Sequence, residues 1–450
     1  MKPSKFFKSS LNALSLCSIS LVCMVGCVSK QPIELTSSDF QSSVDHITDI
    51  MVHDIFSPPV ASRIYAYPNI AAYEILAQND SNMRSLTQAI EHLKPIPVAQ
   101  DTTLNYPLAA LIAHIDVSKA LVFSEERVAQ YRDSLYQLWS KKNKAAFNKA
   151  KTYGLSVAAH IKSWMNTDQY NQTRTMPKFT VITEDPSRWQ PTPPAYMDGI
   201  EPHWNKIRPF VMDSASQFKP VPPPSFSMEK NSAFYKELME VYQTSQRIEA
   251  MGDASEEIKM AQFWDCNPYV SVTRGHLMFA TKKITPGAHW IGITKIACNQ
   301  ASLDFNETVG AYTHTSMAIF DAFISCWDEK YRSNLIRPET LINQYIDENW
   351  KPVLQTPPFP EYSSGHSVVS GAASTVLTEI FGNDFSFDDD TEVPYGLPIR
   401  SFESFNQAAQ EAAISRMYGG IHYRSAIDVG LQQGINVGQT MIETLFSNEP

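Results

Sequence analysis

Lys330-Tyr331-Arg332-Ser333-Asn334-Leu335-Ile336-Arg337-Pro338 is the stretch from which the rest of the chain is read. Two later clusters share its character: Tyr362-Ser363-Ser364-Gly365-His366 and Ser415-Arg416-Met417-Tyr418-Gly419-Gly420-Ile421-His422. Together they hold one Lys, three Arg, a Ser-Gly-His triplet and a second His. That set suits a tetrahedral or trigonal-bipyramidal oxyanion. Arg forks grip two oxygens at once, Lys acts as a point charge, and a Ser hydroxyl and a Gly N–H add neutral donors. One His can bond the central atom while the other moves protons. Each cluster alone is weak, since a Lys and an Arg on a helix are usually a solvated face. The weight lies in all three together, in this order.

The whole chain sets the frame. Its 450 residues are 43% hydrophobic and 19% charged, which permits a sizeable core. The formal net charge of −10 argues against a nucleic-acid-binding surface. Any anion site must therefore be a local positive pocket in an acidic protein. The N-terminus reads as a targeting segment: Lys2, Lys5 and Lys8 precede an apolar run from Leu11 to Val25, which ends Met24-Val25-Gly26-Cys27. A small residue directly before Cys resembles a bacterial lipobox, and cleavage there would leave Cys27 lipid-modified. An ordinary secretory signal or a membrane anchor is the plainer alternative, although the run is short for a span. Of six Cys, only Cys266, Cys298 and Cys326 follow Cys27, far apart. They make no disulfide framework and no CxxC metal site, and read as small buried residues.

Periodicity predicts helices almost throughout. Ile47, Ile50, Met51 and Ile55 recur at helical spacing before Pro58-Pro59 interrupts. Helices are expected over 61–76, with a kink or break at Pro68, and over 108–122, 124–139 and 145–165. From Thr167 to Ser227 prolines accumulate among Trp189, Tyr196, Trp204 and Phe210, so this long irregular connection should pack onto the protein. Helices return at 231–249 and 254–264. The segment 290–328 reads as one long helix or two abutting ones. Further helices are expected at 367–381, 402–417 and 428–446, with an acidic loop at Asp388 to Asp390. No alternating strands stand out. The fold class is all-α, a large helical bundle. The organisation expected is a signal peptide (1–26), a tether (27–38) and one domain (39–450). That domain divides into an N-terminal helical part (39–166), the Pro-rich connection (167–227) and a site-bearing part (228–450).

The three clusters resemble the phosphatidic acid phosphatase type 2 / vanadium haloperoxidase superfamily. Its pattern is Lys, six residues, Arg-Pro, then Pro-Ser-Gly-His, then Ser-Arg, five residues, His. Lys330 with Arg337-Pro338 and Ser415-Arg416 with His422 fit in full, while Ser363 stands where the family usually has Pro. That departure should loosen the turn without removing a ligand. Pro358-Phe359-Pro360-Glu361-Tyr362 resembles the haloperoxidase branch more than the lipid phosphatases. The resemblance implies a helical fold of that type, with vanadate as cofactor and hydrogen peroxide and a halide as substrates; the lipobox-like signal places the enzyme at the bacterial cell envelope. His422 would be the covalent ligand of vanadium. Lys330, Arg337 and Arg416 would neutralise the equatorial oxygens, Ser364 and the Gly365 N–H would complete the cradle, and His366 would be the general acid–base. Trp327 and Phe359 would tune halide choice, or simply pack the core. The Asp often found four residues after the last His is absent: Ala426 is there and the nearest acid is Asp428. An acid phosphatase acting on a phosphomonoester through His422 shares the same ligands. A non-catalytic oxyanion- or partner-binding lipoprotein is a third reading, against which the two His speak.

Overall fold

The computed structural model describes residues 31–274, 277–280 and 282–446. The expected signal peptide and Cys27 lie outside these residues. Among the described residues there are thirteen α-helices and two small β-ribbons. The N-terminal helices are α1 (Ser37–Asp54), α2 (Pro58–Ala77), α3 (Tyr106–Lys119), α4 (Glu125–Met165) and the single turn α5 (Tyr170–Thr173). After the Pro-rich connection come α6 (Ala233–Met251), α7 (Glu256–Phe263), α8 (Pro286–Gln300), α9 (Phe305–Ser333) and α10 (Pro338–Tyr345). The chain closes with α11 (Gly365–Phe381), α12 (Phe405–Tyr418) and α13 (Arg424–Leu445). The ribbons pair β1 (Ser271–Arg274) with β2 (Leu277–Ala280) and β3 (Phe387–Asp389) with β4 (Arg400–Phe402), both antiparallel. The all-α expectation holds, with these ribbons as small additions.

Local chemistry explains the boundaries. Thr36 and Asp39 form a reciprocal capping box that starts α1. The stretch expected as a tether is therefore partly structural: Ile33 is buried and its carbonyl accepts from Asn105 Nδ2 at 2.6 Å. Pro58 and Pro59 occupy the first turn of α2, where a missing N–H costs nothing. The helix then runs on through Pro68 instead of ending there. Non-helical Asn143 (φ −156°, ψ 91°) breaks α4 into two arms, and its side chain caps the second by accepting from Ala146 N at 3.1 Å. The expected segment 290–328 is two helices. Ser302 takes a positive φ of 55° after α8, and an Asp304–Glu307 capping box starts α9.

The core is built round α9, which is buried along most of its length and packs on α1, α2, α8, α11 and α13. α2 is buried on nearly every face between α3 and α9. The Pro-rich connection lies on this core as a strap. Trp189 and Trp204 within it are fully buried. Three consecutive backbone N–H groups, of Phe210, Val211 and Met212, donate to the Asp321 carboxylate of α9 at 2.8, 2.9 and 3.3 Å. Earlier in the strap, Trp189 N donates to Asn334 O and Ile336 N to Ser187 O, both at 2.9 Å. Ile200 N donates to Pro358 O at 3.1 Å. The strap thus holds the loops on either side of α10. A second apolar cluster, including Leu335, Ile336, Leu341, Trp350, Tyr362 and Tyr423, supports those loops from below.

Candidate active site

Five helix ends meet at one place: the C-termini of α9 and α12 and the N-termini of α10, α11 and α13. Each brings a sequence-predicted residue. Lys330 is in the last turn of α9, and Asn334 closes that helix in the left-handed conformation (φ 47°). Arg337 is the N-cap of α10, with Pro338 at the first helical position. Ser364 is the N-cap of α11, and its Oγ accepts from Ser367 N at 3.4 Å. Gly365 and His366 open that helix. Arg416 is in the last turn of α12. His422 follows the Gly419-Gly420 turn, where Gly420 takes a φ of 76° that a side chain would resist.

Ser363, where the family pattern has Pro, does not leave the turn loose. It is fully buried, its hydroxyl donates to Gln433 Oε1 at 2.6 Å, and the next residue, Ser364, donates its N–H to Ala426 O at 3.0 Å. Side-chain and backbone bonds supply what the proline ring would have supplied.

The cations are deeply buried. Arg337 donates from Nε to Phe359 O at 3.0 Å and from Nη1 to Ile421 O at 2.8 Å, and Nη1 lies 3.2 Å from His422 Nε2. Arg416 donates from Nη1 to Trp264 O at 2.7 Å. Burial pushes Arg337 down to about 10, so it stays cationic at neutral pH, and burial also lowers Arg416. Lys330 is pushed down to about 8 by burial. All its ammonium donors are engaged, by the carbonyls of Pro360 (3.1 Å), Glu361 (3.0 Å) and Ser363 (2.5 Å). It pins the loop that shapes the site.

The acid that orients His422 is Glu361, which the reading of the sequence missed. Glu361 Oε1 is 2.7 Å from His422 Nδ1 and accepts from Tyr423 N at 2.9 Å. An oxygen already accepting one N–H is set to accept another, so the Nδ1–H tautomer is fixed and the Nε2 lone pair is left free beside Arg337. Burial, opposed by Arg337 and Lys330, pushes Glu361 up to about 8. Asp428, the nearest acid in sequence, is an exposed residue of α13 near Arg424. The missed signal was a single carboxylate among prolines and aromatics directly before the triplet.

Both His are neutral. Burial, then the charge of Arg337, depresses His422 well below the usual imidazole range. Burial, then Arg416, does the same to His366. Several buried polar atoms here have no protein partner: Arg337 Nη2, Arg416 Nε and His366 Nε2. Unpaired buried donors are costly, and a cluster of them marks a place made for a ligand. Gly365, His366, Arg416, His422, Trp327 and Phe359 line one pocket with about 430 Å³ of empty space, open solvent at its mouth included. The rings of Trp327 and Phe359 lie 5.0 Å apart, and Lys330 Nζ lies 5.0 Å from the Phe359 ring. The structure thus gathers every sequence-predicted site residue except Cys27. Arg337 lies against His422 in the pocket wall, and Ser364 caps the helix that Gly365 opens. A cationic recess with a fixed imidazole lone pair and a second neutral imidazole can bind an oxyanion covalently and move protons beside it.

A family model described as the VCPO second helical-bundle domain matches residues 343–448. Among solved structures, the chain is 64% identical to one described as the first bacterial vanadium-dependent iodoperoxidase. That match covers 93% of this chain and 100% of the other, with a TM-score of 0.89. Holo- and apo-type bacterial vanadium-dependent chloroperoxidases share the fold at 16% and 17% identity. Both match at a TM-score of 0.65, covering 87% of this chain and 93% and 94% of theirs. A comparison with curated protein sequences gives no match.

Proposed function

Since the chain belongs to the vanadium-dependent haloperoxidases, we propose that it oxidises a halide with hydrogen peroxide, using vanadate held at His422. The observation that carries this is the fixed Nε2 lone pair of His422 beside unpartnered guanidinium nitrogens of Arg337 and Arg416. That donor set fits vanadate: one neutral imidazole nitrogen for the metal and buried cations for its oxygens. Ser364 and the Gly365 N–H, at the positive end of α11, add neutral donors. Lys330 adds charge from behind the loop. What vanadate supplies when bound is Lewis-acid activation of hydrogen peroxide toward a halide.

The chain's own residues do the rest. Glu361 keeps the proton of His422 on Nδ1, so Nε2 stays available. His366, kept neutral by desolvation and by the charge of Arg416, can take a proton at its free Nε2 as peroxide arrives and return it as product leaves. Trp327 and Phe359 give the pocket an apolar wall that suits a large, weakly hydrated halide. The relative described as an iodoperoxidase makes iodide the first substrate to test.

The test is vanadium content per chain after gel filtration, alongside iodide oxidation, with a phosphomonoester as a separate arm. His422→Ala should abolish stoichiometric vanadate uptake. His366→Ala should keep much of the uptake and lose most of the oxidation, about 10²- to 10⁴-fold for a lost acid–base group. Full iodide oxidation by His422→Ala would reject the vanadate mechanism. Phosphomonoester hydrolysis without peroxide-dependent oxidation would favour the phosphatase reading.

We also propose lipid anchoring at Cys27 in the bacterial cell envelope. The lipobox-like Met24-Val25-Gly26-Cys27 supports it, and among the described residues no helix is long and apolar enough to cross a membrane. Cys27→Ser should move the protein from the membrane to the soluble fraction with its fold intact. Continued quantitative membrane partition of the processed variant would refute the anchor.

A further inference from the structure

A second cluster of chemistry-bearing side chains lies beside the pocket, assembled from three places in the chain. His289 of α8 is fully buried, and Trp264 stacks on its ring at 4.4 Å between centroids and 18° between planes. Its Nε2 is 2.8 Å from Asp389 Oδ2 and 2.8 Å from Thr391 Oγ1. Its Nδ1 is 3.3 Å from Cys266 Sγ and 3.4 Å from Glu392 Oε1. Cys266 Sγ is 3.7 Å from Glu392 Oε1, and all three residues are buried. None of these residues takes part in holding the oxyanion at His422.

We propose that Cys266, His289 and Glu392 form a binding site for a divalent transition metal of the zinc class, separate from the vanadate site. Three arguments carry it. The first is spacing. Zn–S of about 2.3 Å with Zn–N and Zn–O of about 2.0–2.2 Å puts tetrahedral ligand atoms roughly 3.3–3.6 Å apart. The separations of 3.3, 3.4 and 3.7 Å already meet that geometry within a few tenths of an ångström. The second is orientation. Asp389 accepts the Nε2–H of His289, which leaves Nδ1 facing Cys266 and Glu392, where a metal would replace its proton. A carboxylate behind a ligating imidazole is the usual support of a zinc-bound histidine. The third is donor type and charge. One thiolate, one imidazole and one carboxylate select a borderline-soft ion over magnesium or calcium, which prefer all-oxygen shells. A divalent ion balances the thiolate and Glu392, while Asp389 remains paired with the imidazole N–H.

The site joins the loop after α7, the helix α8 and the turn after β3. Three protein donors leave a fourth position for water or the second Glu392 oxygen. Because Cys266 also lines the active-site pocket, the metal would sit directly behind one wall of it.

The experiment uses the full chain, stripped with a chelator and then offered zinc or cobalt(II), with metal per chain read after gel filtration. Cobalt adds a signature of its own, a thiolate-to-cobalt charge-transfer band in the near ultraviolet. The wild type is expected to hold one equivalent of either ion and to show the band. Cys266→Ser should lose the band and most of the metal. Asp389→Asn should weaken uptake about 10- to 100-fold, the usual effect of removing such a support. His422→Ala should bind zinc and cobalt as the wild type does while losing vanadate, which separates this site from the proposed cofactor site. A wild type that takes up neither ion, or takes up cobalt without the thiolate band, would overturn the assignment. Equal metal content in wild type and Cys266→Ser would overturn it too.

Discussion

Oε1 of Glu361 accepts two N–H groups, while Oε2 is buried without a partner. Oε2 is therefore where a proton resides when the carboxyl is neutral. Burial raises the folded-state value to about 8 from an ordinary 4.5. The folded protein then holds this proton more tightly than the unfolded chain between those two values. Stability from this group is full below about 4.5 and is lost as pH rises through about 8. Glu361→Gln cannot ionise. The melting temperature of wild type minus that of the variant should therefore fall steadily from pH 4.5 to 8.5; parallel curves would refute the shift. Above about pH 8, where the wild-type carboxyl is charged, the variant should also bind vanadate about 10- to 100-fold more weakly, since its amide supports Nδ1–H less well. Lys330, Arg337, Arg416 and both His were legible because their spacings survive as a linear pattern. Glu361 was not, because its bond to His422 spans 61 positions and leaves no fixed local offset. Asp389 looked like part of a solvated acidic loop, yet it is fully buried against His289.

Among the elements, α11 and α13 decide how tightly the Ser-Gly-His turn is held. They cross with almost no side chain between them. A Cβ added to Gly434 would meet Val368 O at 1.9 Å, and one added to Gly371 would meet Leu431 O at 2.5 Å. Both obstacles are backbone, so relief requires the helices to part. Gly434→Ala should cost about 1–3 kcal/mol by overpacking, measured by denaturant unfolding. Parting the helices also shifts the N-terminus of α11, so vanadate affinity should fall with stability. An unchanged midpoint would show that the crossing has slack. Helix existence was legible from apolar periodicity, but such contacts depend on helix pairing. The ribbons were hidden for another reason: strands of three and four residues are too short to display alternation.

At the scale of the molecule, the strap ties the N-terminal helices to the site. Asp321 is its principal fastening, with three backbone N–H donors. Asp321→Ala leaves those donors buried without an acceptor, at about 1–3 kcal/mol each. The loss should be roughly 3 kcal/mol or more in total, and the segment around Ser214 should become more sensitive to protease. A variant as stable and protease-resistant as wild type would mean that the strap is held elsewhere. The amino acids of the strap announced packing, through their aromatics. Its route did not show in the sequence, because its bonds join residues far apart along the chain.

That route has a consequence for covalent continuity. The tip at Ile182 to Glu184 is exposed, whereas the chain on both sides is anchored. Upstream, Asp168 pairs with Arg63 at 2.7 Å and accepts from Arg208 N at 3.0 Å; downstream, Trp189 and Ile200 are bonded to the loops flanking α10. A single break at the tip would therefore separate no interface. The halves should copurify as one particle and reassemble when expressed from separate genes, with neither half complete alone, since α2 and α9 bury each other.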